Sequence, residues 1–278
     1  MLKKIDVAQQ FLVKNHQLFA CPKCLTKMDV HGQELICQNH HSFTLSKKGT
    51  LFFLEKKMTT EYTKEMFLHR KNIIQQGLYE PLLSEIAQMM IPDAPVLDVG
   101  CGEGSFLEIL GKNISAAKIG FDISKEGIYL ATEQTTANTF FCVADLTHLP
   151  FSNQQFGTIL NIFSPSNYHE FARVLKPGGQ LIKVIPNQFY LKELRQALYT
   201  GEKATYSNAP VLKKLRETVN ILQEKNLTYT LPTSNFTFSD LVKMTPLSWS
   251  ADEKQLAELF QKPFSTITVD VTVAICQL

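Results

Sequence analysis

Residues 96–104 read VLDVGCGEG, and residues 105–111 continue as SFLEILG. A short apolar run breaks into glycine at every second position and is followed at once by helical spacing, so the stretch is a strand, a tight turn and a helix. Gly100, Gly102 and Gly104 permit the sharp turn and let backbone N–H groups approach a ligand closely. On spacing alone the loop matches the dinucleotide fingerprint. Asp98 argues against that ligand, because an acid at the strand's end repels a pyrophosphate and suits a cation such as an amino-acid ammonium.

Working outward, the apolar runs KIGFDIS, TFFCVAD, FGTILNIF and QLIKVIP follow, separated by helical stretches. This βαβα alternation of nearly all-apolar strands predicts a parallel sheet covered on both faces. Asp122 ends the second strand about 20 residues past the loop, where an acid accepts hydrogen bonds from ribose hydroxyls. Asp145 ends the third, placed to accept from the exocyclic amine of adenine while Leu146 packs against the ring. Each aspartate taken singly is also a plausible helix N-cap. Together they match a ligand with an ammonium, a ribose and an adenine but no phosphate, which is S-adenosylmethionine.

Upstream, Leu82, Leu83, Ile86, Ala87 and Met90 follow helical spacing behind Pro81, and Pro92 closes that helix. KPGG at 176–179 reads as a helix-ending turn leading directly into a strand. At the C-terminal end Ile267, Val269, Val271, Val273 and Ile275 alternate with mostly polar residues, predicting a half-exposed strand, read as an antiparallel edge on the parallel sheet. The fold class expected is therefore a Rossmann-like α/β sheet, mostly parallel with an antiparallel edge strand.

The N-terminal portion differs. CPKCLTKMDVHGQELICQNHHSF, residues 21–43, places Cys21 and Cys24 in a CxxC knuckle and follows them with Cys37, His40 and His41. Three cysteines and one histidine at this spacing specify a closed tetrahedral structural zinc site, with His40 and His41 competing for the fourth position. Such a small unit is expected to unfold without its metal. Residues 1–75 carry 12 Lys and Arg against 6 Asp and Glu, within a chain whose net charge is only +2. That excess is either a solvated face or a footprint for phosphate. Cys101, Cys142 and Cys276 read as small packing residues. The chain is 44% hydrophobic and 19% charged, with no apolar run of membrane-spanning length and no evident secretory signal. A cytoplasmic protein is expected.

GLYEPLL before the first strand, the CxxC cluster, NIFSPSNYHEFARVLKPGG, IKVIP and MTPLSW together resemble the RlmA-type 23S rRNA (guanine-N1)-methyltransferases over nearly the whole chain. IFSPSNYHEF, IKVIP and ATYSNA look closest to the type II branch of Gram-positive bacteria. The resemblance implies a class I S-adenosylmethionine-dependent methyltransferase preceded by a small zinc-binding domain that recognises RNA. The implied target is N1 of a guanine in a 23S rRNA hairpin near the peptide exit tunnel, with consequences for macrolide action. It places the fourth metal ligand at His41, turns Lys23, Lys27, Lys47 and Lys48 toward phosphate, and brings Tyr79, Phe106 and Leu107 to the cofactor. Where the family has a histidine after the fifth strand, Tyr190 stands here. Homodimers occur in the family.

The division expected is 1–54 for the extension and zinc unit, 55–77 for a helical connector and 78–278 for the methyltransferase domain. Asn161 begins NIFSP, where many methyltransferases place residues that meet the target, but an amide removes no proton. Glu80 and Glu103 are the candidate bases for guanine N1, neither assigned. Phe163, Pro165, Tyr168 and Trp249 are candidate walls for an unstacked base. Two rival readings are a small-molecule methyltransferase of the quinone type, which leaves the zinc unit unexplained, and a non-catalytic RNA-binding protein, which leaves the loop and its acids unexplained.

Overall fold

In the computed structural model the glycine loop lies at the point where the central sheet reverses its strand order. Residues 2–278 are described, apart from 57, 59 and 202–204; Lys57 and Thr59 of the expected connector and Ala204 of ATYSNA therefore lie outside the described residues. In chain order the elements begin with α1 (Lys4–Asn15), β1 (Met28–His31), β2 (Glu34–Cys37), β3 (Ser42–Thr44), α2 (Lys64–Gln75) and α3 (Glu80–Met89). The glycine-loop region follows as β4 (Val96–Val99), α4 (Ser105–Leu110), β5 (Lys118–Asp122), α5 (Lys125–Ala131), β6 (Thr139–Val143), β7 (Phe156–Ile162), α6 (Tyr168–Val174) and β8 (Leu175–Pro186). The remainder is α7 (Lys192–Leu198), α8 (Ala209–Thr218), β9 (Asn220–Pro232), α9 (Phe238–Lys243), α10 (Glu253–Gln261) and β10 (Thr266–Gln277).

The seven-stranded sheet has the order β6-β5-β4-β7-β8-β10-β9. β4 pairs in parallel with both β5 and β7, whose connections run to opposite sides, so a crevice opens at the strands' carboxyl ends between them. The expected antiparallel addition is present but is two strands wide. β10 pairs with β8 on one side and β9 on the other, so residues 267–274 are buried within the sheet and β9 is the edge. The KPGG turn is absorbed into β8 as an irregularity: Phe156 faces Leu175 and Thr158 already faces Gln180, with Gly178 at φ +77°. Glycine takes that left-handed backbone without penalty.

Alternate residues of the strands feed two cores. Val96, Phe141, Leu160 and Val184 face one packed by α3, α4, α5 and α7. Leu97, Ile119, Phe140 and Phe156 face the other, where α6 is joined by the N-terminal unit: Phe11 of α1, Phe19, Met28, Leu35 and Phe43 are all buried in it. Phe11 stacks on Phe140 at 5.3 Å between ring centroids. Fully burying one such ring stabilises by about 2–3 kcal/mol. The backbone joins as well. Leu51–Phe53 runs beside β6, with Phe53 N–H donating to Val143 O at 2.8 Å and Val143 N–H to Leu51 O at 2.9 Å. The N-terminal unit thus shares a core with the sheet and covers its β6 edge. Among the described residues no helix is long and apolar enough to cross a membrane.

Candidate active site

At the metal cluster, the knuckle closes with Leu25 N–H on Cys21 O and Cys21 N–H on Thr26 O, while the turn between β2 and β3 returns His41 to Cys37. Cys21, Cys24 and Cys37 Sγ and His41 Nδ1 lie within 4.8 Å of one another. Nδ1 is 3.4, 3.6 and 3.4 Å from the three sulfurs in turn, and Cys24 and Cys37 are 3.7 Å apart. Tetrahedral zinc with bonds of about 2.3 Å to sulfur and about 2.0 Å to nitrogen requires edges of about 3.8 and 3.5 Å. The four atoms therefore fit that ion. His40 is exposed, at φ +61°, and takes no part. Lys23, Lys27, Lys47 and Lys48 are all exposed, although Lys23 pairs with Glu55 at 3.4 Å.

In the crevice, a cavity of about 270 Å³ is lined by Gly100, Gly102, Asp122, Asp145 and Leu146 on one side and by Phe163, Ser164 and Pro165 after β7 on the other. Gly100 and Gly102 have φ of +69° and +56°. A Cβ on Gly100 would stand 2.7 Å from Ser164 Cβ, and one on Gly102 would stand 3.1 Å from the Phe67 ring. Gly104 serves packing instead, with Phe141 and Ala131 where its side chain would be.

Asp122 accepts from Gly102 N–H at 3.0 Å and from Ser124 N–H at 2.8 Å, which fixes both carboxylate oxygens and leaves each a further lone pair toward the cavity. Burial raises its pKa against these donors. Asp145 accepts from Thr147 N–H at 2.8 Å. Asp98 lies beneath the loop, 2% exposed, with Oδ2 unpartnered. Burial pushes its pKa up to about 7, with Arg70 opposing and Glu103 and Asp122 adding to the rise.

Arg70, Phe67 and Tyr62 complete the cavity wall. All three come from the segment read as a connector. Thr63 caps α2 by accepting from Met66 N–H, and the helix then turns Phe67 over the glycine loop and Arg70 toward the acids. Arg70 Nε lies 3.7 Å from Glu103 Oε2, and its guanidinium sits 5.2 Å from the Phe106 ring centroid. Burial opposes the Arg70 charge, but Glu103 above all holds its pKa above the ordinary value. The opposite face of α2 is tied to α9: Asp240 accepts from Asn72 at 3.0 Å and lies 2.5 Å from His69 Nδ1. Nothing but an arginine in a charged helix signalled this in the sequence.

Tyr79, Phe106 and Tyr190 gather with Phe163 into an aromatic box behind the cavity. Tyr79 meets Phe106 edge to face at 5.4 Å, and Phe163 lies 5.2 Å from Tyr190. The Tyr79 and Tyr190 hydroxyls are 2.6 Å apart, and burial raises both pKa values. Leu107 is wholly buried beside them in the same core.

Four expectations are corrected. Glu80 is exposed and borders a groove with Ser105 and Glu108 on α4, because α3 turns it away from the cavity. Glu103 is 1% exposed and engaged with Arg70, so it is no base for a large substrate. Tyr168 packs on Phe171 in the opposite core. Asn161 is fully buried and its amide is saturated: Nδ2 donates to Ser164 Oγ and Pro165 O, and Oδ1 accepts from Ser166 and Lys183. Phe163 and Pro165 do line the cavity. Trp249, 39% exposed, stands edge-on to Tyr62 at 5.1 Å over an open groove beside it.

A family model described as a methyltransferase domain matches residues 96–179, from β4 into the KPGG turn. YxjB of Bacillus subtilis, whose name assigns it provisionally as a 23S rRNA (guanine-N(1)-)-methyltransferase, is 39% identical over 93% of this chain and 96% of its own. The 23S rRNA (guanine(748)-N(1))-methyltransferase of Streptomyces fradiae is 28% identical over 92% of this chain and 95% of its own. Among solved structures, Haemonchus contortus phosphoethanolamine N-methyltransferase 2 in complex with S-adenosyl-L-methionine superposes with a TM-score of 0.52 at 14% identity, covering 78% of this chain and 58% of that one. That likeness is one of fold.

Proposed function

Because the chain belongs to the 23S rRNA (guanine-N1)-methyltransferase family, we propose that it transfers a methyl group from S-adenosylmethionine to N1 of a guanine in a 23S rRNA hairpin near the peptide exit tunnel, as a cytoplasmic enzyme. The observation that carries the reading is the charge arrangement at the crevice. Three aspartates at successive strand tips surround a glycine cradle, with one buried carboxylate oxygen unpartnered and one guanidinium among them. Such a site suits a ligand bearing ammonium, carboxylate and ribose groups.

Asp98 holds the ammonium, Arg70 takes the carboxylate in exchange for part of its contact with Glu103, and Asp122 accepts from the ribose hydroxyls. Asp145 and Leu146 hold the adenine. Tyr79, Phe106, Leu107 and Tyr190 form the apolar backing. When bound, the cofactor supplies an electrophilic methyl group on a sulfonium. The protein's task is then to hold the acceptor nitrogen in line with it, a contribution that comes from orientation. Guanine N1 would give up its proton to solvent as the methyl is received and the thioether leaves, since Glu80 borders a separate groove and Glu103 is engaged with Arg70. Phe163, Pro165, Tyr62 and Trp249 supply apolar and aromatic surface for an unstacked base. Zinc on Cys21, Cys24, Cys37 and His41 is structural, since four protein ligands leave it no open position. The segments 1–54, 55–77 and 78–278 divide by role into RNA contact, cofactor cover and chemistry.

The test is methyl transfer to 23S rRNA transcribed without modifications, followed by primer extension. A methyl on N1 blocks Watson–Crick pairing, so a new stop one base before a guanine is expected, absent with Asp122→Ala. No stop on the RNA, together with methylation of a small quinone acceptor, would overturn the reading.

A further inference from the structure

Lys183 is 4% exposed, on β8 directly opposite Asn161 of β7. Its Nζ donates to Asn161 Oδ1 and to Ser164 O, the latter at 2.7 Å. No carboxylate lies within ion-pair distance of it among the described residues. A buried ammonium without a counter-ion is costly to keep, and a methionine of similar length would pack there more cheaply. Its partners indicate what it does.

An ammonium only donates, so Asn161 must present its oxygen to Lys183 and its NH₂ away from it. That orientation sends Nδ2 to Ser164 Oγ at 2.5 Å and to Pro165 O at 2.8 Å, while Ser166 Oγ donates to the same amide oxygen at 2.8 Å. Ser164 Oγ in turn donates to Val99 O at the root of the glycine loop, at 2.6 Å. The residue entering this loop, Phe163, has φ +57°, a backbone region that bulky side chains occupy only under constraint. Phe163, Ser164 and Pro165 are the cavity wall facing the glycine loop.

We infer that Lys183 is a positioning residue for methyl transfer: through Asn161 it locks the Phe163–Ser166 loop in the strained shape that aligns the acceptor against the cofactor. The inference rests on the function proposed above, and it touches neither the cofactor's acids nor the metal unit.

The variants are Lys183→Met, which keeps length without donors, and Ser166→Ala, which removes one donor to the amide and leaves the buried lysine in place. With Lys183→Met, kcat on 23S rRNA should fall about 100-fold, the cost of roughly an ångström of misplacement, with KM for RNA and Kd for S-adenosylmethionine within about threefold of the parent. Hydrogen exchange at residues 161–168 should quicken with exchange elsewhere unchanged, a readout that holds whatever the methyl acceptor proves to be. Ser166→Ala should move both readouts in the same direction by less, and decides the matter if Lys183→Met does not fold. Unchanged exchange in the loop, or a cofactor affinity that falls in step with kcat, would overturn the assignment.

Discussion

Replacing Asp98 by asparagine should strengthen the empty protein and abolish its affinity for the cofactor. The carboxyl is held at about pKa 7 against 3.8 for the free side chain, chiefly by burial. Because the folded value is raised, the folded state binds the extra proton, so the group's contribution to stability is complete below about pH 4 and is lost as pH rises to about 7. At about 1.4 kcal/mol per pH unit, the part of that window between about pH 5.5 and pH 7 amounts to roughly 2 kcal/mol. Urea unfolding of the cofactor-free protein should show wild type losing about that much relative to Asp98→Asn across this interval, and little more at higher pH. An ammonium placed against the carboxylate reverses the preference. Binding to wild type should therefore release close to one proton at about pH 6, and Kd should tighten up to tenfold per pH unit until about pH 7. Calorimetry in two buffers of different ionisation enthalpy measures that proton directly. Identical pH dependence of stability in the two proteins, or a Kd for wild type that is flat across the interval, would refute the assignment of this carboxylate to the ammonium.

Arg70→Met leaves Glu103 buried and unpaired, so unfolding free energy should fall by about 3 kcal/mol and cofactor affinity by at least about tenfold; Glu103→Gln on that background should return most of the stability but none of the affinity. His41→Ala should lose the bound zinc, measured by elemental analysis of the purified protein, whereas His40→Ala should retain a full equivalent. Gly100→Ala drives a methyl group to 2.7 Å from Ser164, and equilibrium dialysis should show cofactor binding lost while the fold, followed by circular dichroism, persists. Trp249 is the chain's single tryptophan, so its emission should be quenched when unmodified 23S rRNA is added; an unaltered spectrum at saturating RNA would remove it from the acceptor's path.

The parts of this molecule written in local pattern were legible. The strands from Val96 to Pro186 are apolar runs with glycine, proline or aspartate at their ends, and the acids at those ends mark the crevice because side chains there have nowhere else to face. The three cysteine ligands were legible from spacing because zinc tolerates few geometries, whereas spacing left His40 and His41 open and only the family resemblance pointed to His41. β9 was not. NILQEKNLTYTLP is an edge strand with one face in solvent, and only Ile221, Leu227, Tyr229 and Leu231 keep partial burial, too sparse a period to stand out from a loop. With β9 unseen, β10 took the edge by default. Arg70 was hidden for a different reason: α2 is polar over most of its surface, and its importance comes from Glu103 and Asp98, which approach it only in the folded chain. Lys183 was hidden the same way: inside the apolar run QLIKVIP nothing marks its partners, which Asn161 and Ser164 become only in the folded chain.

The union of the N-terminal unit with the sheet also constrains how the chain can be made. Thr50 Oγ1 donates to Phe141 O at 2.7 Å across 91 positions of sequence, so during synthesis the three cysteines and His41 leave the ribosome well before the surface that Phe11, Phe19 and Phe43 will cover. Capturing the ion early would give the nascent segment a fixed shape while its oily side waits, and the unprotected rim of β6 would in turn meet a ready-made neighbour the moment it emerges. Cells starved of zinc should then accumulate aggregated chains rather than a soluble enzyme lacking one module.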